Sequence, residues 1–61
     1  MSEGYRYEVV FDEGMQGFVV KIMVDGELEE ISPVFGSKEK AVKYGERVVW
    51  DLWREEQEES A

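Results

Sequence analysis

The first part of the chain alternates between apolar and polar positions. Over residues 5–12, aromatic and aliphatic side chains recur at every second position, which is the period of a β-strand with one buried face. The segment 13–17 contains two glycines and breaks the alternation, so it predicts a loop that returns the chain antiparallel. The apolar run over 18–24 then predicts a second strand.

Asp25-Gly26 follows the apolar run directly. This dipeptide favours a two-residue type I′ turn, because both central positions of that turn need positive φ. It predicts a β-hairpin with a third strand over 27–35. Pro33 has no backbone N–H to donate, so the third strand is expected to lie at a sheet edge. The predicted strand order is 1-2-3.

A two-residue turn also fixes which side chains share a face of the sheet. It places Ile31 opposite Val20 and Glu29 opposite Ile22. Glu27 and Glu29 then lie on the core face close to the turn, so the hairpin tip is expected to project beyond the helix into water. The predicted core face comprises Tyr5, Tyr7, Val9, Phe11, Phe18, Val20, Ile22, Val24, Ile31 and Phe35.

The other face of the predicted sheet has no second helix to cover it. Grouped apolar side chains on such a face mark an interaction surface, although much of any folded surface is apolar and a tolerated mixed face is the alternative. The exposed edge of the third strand could also pair with a strand of another chain. The predicted open face comprises Arg6, Glu8, Val10, Asp12, Val19, Lys21, Met23, Leu28, Glu30 and Ser32.

A helix is predicted over 38–57, because Ser37 is a favourable N-cap and apolar residues then recur with the helical period. Gly45 lowers helix propensity, so its place in the apolar stripe indicates a close approach of helix and sheet. The acidic tail 58–61 is expected to fray, because the helix dipole disfavours negative charge there. The stripe comprises Ala41, Gly45, Val48, Val49 and Leu52, with Val42, Tyr44 and Trp53 at its flanks.

The opposite side of the predicted helix gathers much of the positive charge of the chain. It carries Trp50, which is expected to be exposed, whereas Trp53 is expected to belong to the core. Trp and Arg are enriched at interface hot spots, so Trp50 is either an interface residue or an indole that lies against Arg47 or Arg54 in a cation–π contact. The full stripe is Lys40, Lys43, Arg47, Trp50 and Arg54.

Composition narrows the function. With 61 residues the chain has room for one domain, 1–61, with a thin core. It has no Cys and no His, which excludes disulfides, a thiolate nucleophile and the commonest metal ligand. Calcium-loop and glycine-rich phosphate motifs are also absent, so neither an enzyme, a cofactor nor a metal is expected. No apolar stretch approaches the ~20 residues of a membrane helix, and the N-terminus lacks a signal-peptide pattern, so a soluble cytoplasmic protein without membrane partners is expected.

Two segments resemble parts of known nucleic-acid-binding families. Residues 18–28 followed by Gly-Ser-Lys-Glu-Lys-Ala at 36–41 are similar to the C-terminal half of double-stranded-RNA-binding domains and to the AP2-like DNA-binding domains of phage integrases. Both resemblances imply a β-β-β-α arrangement, and the second implies a sheet face that reads DNA. On the predicted open face, however, acidic side chains outnumber basic ones, which does not suit contact with phosphates. The double-stranded-RNA-binding domains have two basic residues at the start of this helix, and the corresponding residues here are Lys38-Glu39.

Three hypotheses of function follow, in order of preference. The first is a small acidic protein-binding module, an inhibitor or a nucleic-acid-mimicking antagonist, because a net charge of −8 favours basic partners. Its interface candidates are Val10, Val19, Lys21, Met23, Leu28, Arg47, Trp50 and Arg54. The second is a nucleic-acid-binding module using Lys38, Lys40, Lys43, Arg47 and Trp50. The third is a structural homodimer that buries Val10, Val19, Met23 and Leu28.

Overall fold

The computed structural model describes the backbone of residues 4–60 and the side chains of residues 4–58. It contains a three-stranded antiparallel sheet in the order β1-β2-β3, with one C-terminal helix packed against it. This confirms the predicted α+β class and the strand order. The elements are β1 (Tyr5–Asp12), β2 (Gly17–Val24), β3 (Glu27–Ile31) and α1 (Lys38–Ser60).

The Asp25-Gly26 turn forms as predicted. Asp25 has a φ of 54° and Gly26 a φ of 84°, and two successive positive values are what a type I′ turn requires. The turn pairs Val24 with Glu27 and Met23 with Leu28, as in the predicted register. The next pair differs, because Ile22 lies opposite Glu30 instead of Glu29.

Glu29 is therefore the extra residue of a β-bulge in β3. A shift of one residue moves every later side chain to the other face of the sheet. Ile31, predicted in the core, pairs with Lys21 on the face away from the helix and is 54% exposed. Glu30, predicted on the open face, lies on the helix side instead.

Ser32 was also predicted on the open face, but it lies in the interior and is only 6% exposed. Its N–H donates to the carbonyl of Val20 (2.9 Å), and its Oγ accepts from the Val20 N–H (2.8 Å). The hydroxyl takes the place of a strand carbonyl and also donates to the carbonyl of Pro33 (2.8 Å). The chain leaves the ladder here, so β3 ends at Ile31 and not at the predicted Phe35, which rejoins the sheet through an isolated bridge to Phe18.

Helix α1 begins with the predicted cap, in which the Oγ of Ser37 accepts a hydrogen bond from the N–H of Lys40 (3.2 Å). It runs opposite to β1, since Gly45 lies against Tyr7 while Glu56 accepts a hydrogen bond from the hydroxyl of Tyr5. The helix continues to Ser60, three residues beyond the predicted end at 57. Position 61 lies outside the described residues.

The core is small and lies between α1 and the first two strands. Val20, Ile22 and Ala41 are fully buried. Tyr7, Val9, Phe18, Phe35, Tyr44, Val48 and Leu52 pack around them. The backbone of α1 packs over β1 and β2 and not over β3, and all five residues of β3 are exposed. Glu27 and Glu29 therefore meet water because the helix does not cover β3. The hairpin tip does not project beyond the helix as predicted, since the helix reaches Tyr5, which pairs with Val24 next to the turn.

Two further residues predicted in the core lie at its margin. Phe11 is 49% exposed, although its ring packs edge-on against Phe18 with centroids 5.2 Å apart. Trp53 is half-buried and is not among the side chains that pack on the buried cluster.

Candidate functional site

The sheet surface away from the helix is the first candidate site, and we call it the open face. The paired positions define it, because residues opposite each other in an antiparallel ladder share a face. Met23 lies between Arg6 and Leu28, Lys21 lies between Glu8 and Ile31, and Val10 lies opposite Val19. The open face therefore comprises Arg6, Glu8, Val10, Val19, Lys21, Met23, Leu28 and Ile31, with Asp12 at its end. It contains every sheet residue named as an interface candidate.

The bulge makes the open face more apolar than the sequence predicted. Ile31 joins the four predicted apolar residues, while Glu30 and Ser32 leave. Two cations, Arg6 and Lys21, now balance two anions, Glu8 and Asp12. The open face is thus close to neutral on a chain whose net charge is −8. Its relief is shallow: a depression of about 320 Å³ lies beside Arg6, Tyr7, Glu8 and Met23.

The addition of Ile31 could have been foreseen from the sequence. Leu28 and Ile31 are three residues apart with two glutamates between them, so they lie on opposite faces of a regular strand. Only an inserted residue brings both to one face and leaves the strand with an apolar side. The spacing in Glu-Leu-Glu-Glu-Ile therefore favours a bulge at the glutamate pair.

The outer edge of β3, the predicted site of strand addition, is poorly suited to it. The strand is five residues long and carries three glutamates. It also contains the bulge and is followed by Pro33. Short length, charge, bulges and proline are the devices by which proteins block pairing at a sheet edge.

The indole of Trp50 forms a second candidate site. It is 55% exposed, as predicted, and it stacks on Trp53 with ring centroids 5.2 Å apart and planes 22° apart. The Nε1 of Trp53 is buried without a hydrogen-bond partner among the described atoms. The ring of Trp50 thus packs against the second indole while the rest of its surface meets water.

The basic helix stripe lies on one side of α1, but Lys38, the remaining nucleic-acid candidate, lies apart from it. At 100° per residue, the positions from Lys40 to Arg54 in the predicted stripe fall within an arc of about 80°. Lys38 lies roughly 160° from Lys40 on the same wheel, so the helix does not bring it to the other basic residues. Arg54 forms an exposed ion pair with Glu58 at 4.0 Å. Glu39, Glu46 and Asp51 border the stripe.

Comparison with family models, curated proteins and solved structures finds no match. Within residues 4–58, no three acidic side chains come together as they would around a metal ion. In the described part of the chain, no helix has the length and apolar character needed to cross a membrane.

Tyr44 contacts both the core and β3. Its ring packs on Phe35 with centroids 5.2 Å apart, and its hydroxyl donates to Oε2 of Glu30 at 2.7 Å. This hydrogen bond raises the pKa of Tyr44, and desolvation and the negative charge of Glu30 act in the same direction. The contact exists because the bulge moves Glu30 to the helix side.

We expect the free energy of unfolding to fall as the pH rises above about 10, and to fall less in Tyr44→Phe. The folded state retains the phenolic proton of Tyr44 more strongly than the unfolded chain, so this stabilisation is complete below the unfolded pKa and is lost as the pH passes the folded one. The difference should be small, because the pair is exposed. Urea titrations of both proteins between pH 8 and 11 measure it. Parallel pH profiles would contradict the prediction.

Proposed function

We propose that this chain is a small acidic protein-binding module that docks a larger protein through its open face. The observation that carries the proposal is the collection of five apolar side chains on an uncovered, nearly neutral sheet face. They are Val10, Val19, Met23, Leu28 and Ile31. Contiguous apolar surface of this kind, rimmed by charged residues, marks interaction sites in soluble proteins.

Charge favours a basic rim on the partner. The residues around the open face include the glutamates of β3, while the open face itself has as many cations as anions. A partner with an apolar centre and basic surroundings would gain in association rate from the acidic field and in affinity from the apolar contact. A protein that normally binds a polyanion fits this description, so we include antagonism of a nucleic-acid-binding protein in the proposal.

Leu28→Lys tests the proposal, and Met15→Lys is its matched control. Both residues are exposed and apolar, but Met15 lies in the loop between β1 and β2 and not on the open face. A partner captured with the wild-type chain is purified, and its affinity for the three proteins is measured. We expect Leu28→Lys to weaken binding by about tenfold or more, because a lysine enters the apolar centre of the interface. Met15→Lys should bind like the wild type.

Equal affinities of Leu28→Lys and Met15→Lys for the partner would contradict the proposal that the open face is the interface. Competition with short duplex DNA then addresses the antagonist form: the chain and the DNA should exclude each other on the partner. A ternary complex would leave a protein-binding module but remove the antagonism.

Nucleic-acid binding is the second candidate function, and the exposed Trp50 beside Lys43 and Arg47 favours it. Aromatic side chains next to basic ones can stack on single-stranded bases. Titration with short DNA and RNA at low salt tests it. Affinity that falls steeply with salt and is lost in Trp50→Ala would replace our proposal, since neutralised phosphates release counterions.

A further inference from the structure

The hydrogen bonds of β2 show which way the polar groups of β1 point. Both backbone groups of Val20 face β3, since its N–H donates to Ser32 Oγ and its carbonyl accepts from the Ser32 N–H. Val9 is paired with Val20, so it exchanges no hydrogen bonds with β2, and its own N–H and C=O point away from the sheet.

The same argument applies at Phe11. It lies opposite Phe18, whose N–H and C=O exchange hydrogen bonds with Phe35 at 2.8 and 2.7 Å. By alternation, Tyr7 also directs its backbone groups outward. The outer side of β1 thus presents a row of donors and acceptors from Tyr7, Val9 and Phe11, and no other described strand lies beside it.

Among the described residues, β1 carries fewer of these devices than β3, and its charged side chains, Arg6, Glu8 and Asp12, are of both signs. β1 has eight residues in an uninterrupted ladder with β2, and it contains no proline, glycine or bulge. A long, regular edge strand with apolar side chains is a template for pairing with another strand. The contrast with β3, which carries several devices against pairing, indicates that the two edges have different roles.

We propose that a second copy of this chain pairs with β1 antiparallel across a two-fold axis at Val9, forming a continuous six-stranded sheet. In this register Val9 faces its own copy and the two exchange both backbone hydrogen bonds. Tyr7 lies opposite Phe11 on the helix side, an aromatic pair that covers the exposed ring of Phe11. Arg6 lies opposite Asp12 on the open face, so each copy contributes one cation and one anion to two ion pairs.

The neighbouring registers are worse. With a two-fold axis at Glu8, the outward N–H and C=O groups of the two β1 strands still face each other. Glu8 would then lie opposite Glu8 of the second copy, and like charges directly opposite are destabilising. An axis between two residues would pair the helix side of one copy with the open face of the other. An axis at Tyr7 shortens the paired segment. An axis at Val10 opposes Glu8 to Asp12. The charge pattern and the length of the paired segment together select Val9.

The helices allow this arrangement. Helix α1 contacts both β1 and β2, so its axis lies roughly one strand spacing, about 4.8 Å, from the proposed two-fold axis. The two helices would then lie about 10 Å apart, at the upper end of the 8–10 Å found for packed helices. Tyr44 faces β3, so the opposite flank of α1, with Val42, Glu46 and Trp53, faces the second copy.

The proposal does not depend on the proposed function, but it would place two open faces side by side on one surface. The β1 side measures about 26 Å along the strand, so the area buried is near the low end for a specific complex, and each copy carries a charge of −8. We therefore expect a reversible dimer that strengthens with salt, because screening reduces the repulsion between copies.

Sedimentation and amide hydrogen exchange of the whole chain, between about 20 µM and 1 mM, test the proposal. A concentration-dependent dimer is expected. Amide protons of Tyr7, Val9 and Phe11 should exchange about tenfold more slowly at the higher concentration, because pairing buries them. Those of Glu8 and Val10, which point into the β1–β2 ladder, should change far less. A strict monomer at 1 mM overturns the proposal, as does a dimer in which the three outward amides stay unprotected.

Arg6→Glu and Lys43→Glu provide a matched pair of variants. Both residues are exposed, and both substitutions change the net charge equally, but only Arg6 faces Asp12 of the second copy. We expect Arg6→Glu to raise the dissociation constant of the dimer by about tenfold, since two ion pairs become repulsive, and Lys43→Glu to change it by less than about twofold. Equal effects of the two variants would overturn the proposed register.

Discussion

Ile22→Ala is expected to leave the chain largely unfolded at 25 °C, whereas Ile31→Ala is expected to leave its stability nearly unchanged. Ile22 is fully buried between β1, β3 and the helix, and truncation of such a side chain costs about 2–5 kcal/mol. A domain of this size has a core that rarely supplies more than about 3–5 kcal/mol of net stability. Val20, Ile22 and Ala41 are the fully buried hydrophobic residues of the described chain, so the loss of one side chain is a large fraction of the whole.

Ile31→Ala makes the comparison decisive, because it is the same chemical change at a residue on the open face. We expect it to cost less than about 1 kcal/mol in urea titrations followed by circular dichroism, since much of the side chain is already in water. In the register without a bulge, Ile31 lies opposite Val20 in the core, and the same substitution would cost as much as Ile22→Ala. A large loss of stability in Ile31→Ala would therefore contradict the bulge itself.

The elements that could be predicted from the sequence are those determined by nearby residues. The alternation in β1 and the φ demands of Asp25-Gly26 act within a few residues, and so does the cap at Ser37. These local rules fixed the fold class and strand order. The spacing of Leu28 and Ile31 indicates a bulge, but whether it forms depends on whether Ser32 or Ile31 occupies the place opposite Val20. The hydroxyl of Ser32 satisfies the buried N–H of Val20, an interaction that hydrophobic periodicity does not represent.

The candidate site could be predicted from the sequence about as far as the fold could. The residues of β1 and β2 on the open face follow from the period of two, and Leu28 follows from the turn. Exposure of Trp50 follows from the helical period, but its stacking on Trp53 depends on the side-chain rotamers of both residues. The outward direction of the Val9 amide could not be read from the sequence, because it follows from the hydrogen bonds that Val20 makes on the far side of β2.

The two proposals assign different parts of the sheet to different tasks. The edge of β1 is a main-chain surface with apolar side chains, and such a surface suits an identical strand. The open face offers side chains without main-chain hydrogen bonds, and its area on one chain is small for a stable complex. Pairing at β1 would double that area without changing any residue of the open face. A partner that binds the open face more tightly at concentrations where the chain is dimeric would indicate that the two surfaces cooperate.

Gly45→Ala is expected to destabilise the fold by about 1–2 kcal/mol, although helix propensity alone predicts a gain of about 1 kcal/mol. A Cβ at Gly45 would lie 2.5 Å from Cδ2 and 2.7 Å from Cγ of the Tyr7 ring. These atoms are near the base of the ring and cannot swing away without moving β1 or the helix. Overpacking of this kind costs typically 1–3 kcal/mol, which exceeds the gain in propensity.

Gly36→Ala is the matched control, because a Cβ at that position meets no atom within 4 Å and the residue does not have positive φ. It should be neutral or slightly stabilising, since alanine restricts the unfolded chain. The cause of the loss at Gly45 is tested by repeating Gly45→Ala in a Tyr7→Leu background, where the smaller side chain should recover much of the lost stability. If Gly45→Ala instead stabilises the wild-type chain, the helix does not approach β1 as closely as the contact with Tyr7 requires.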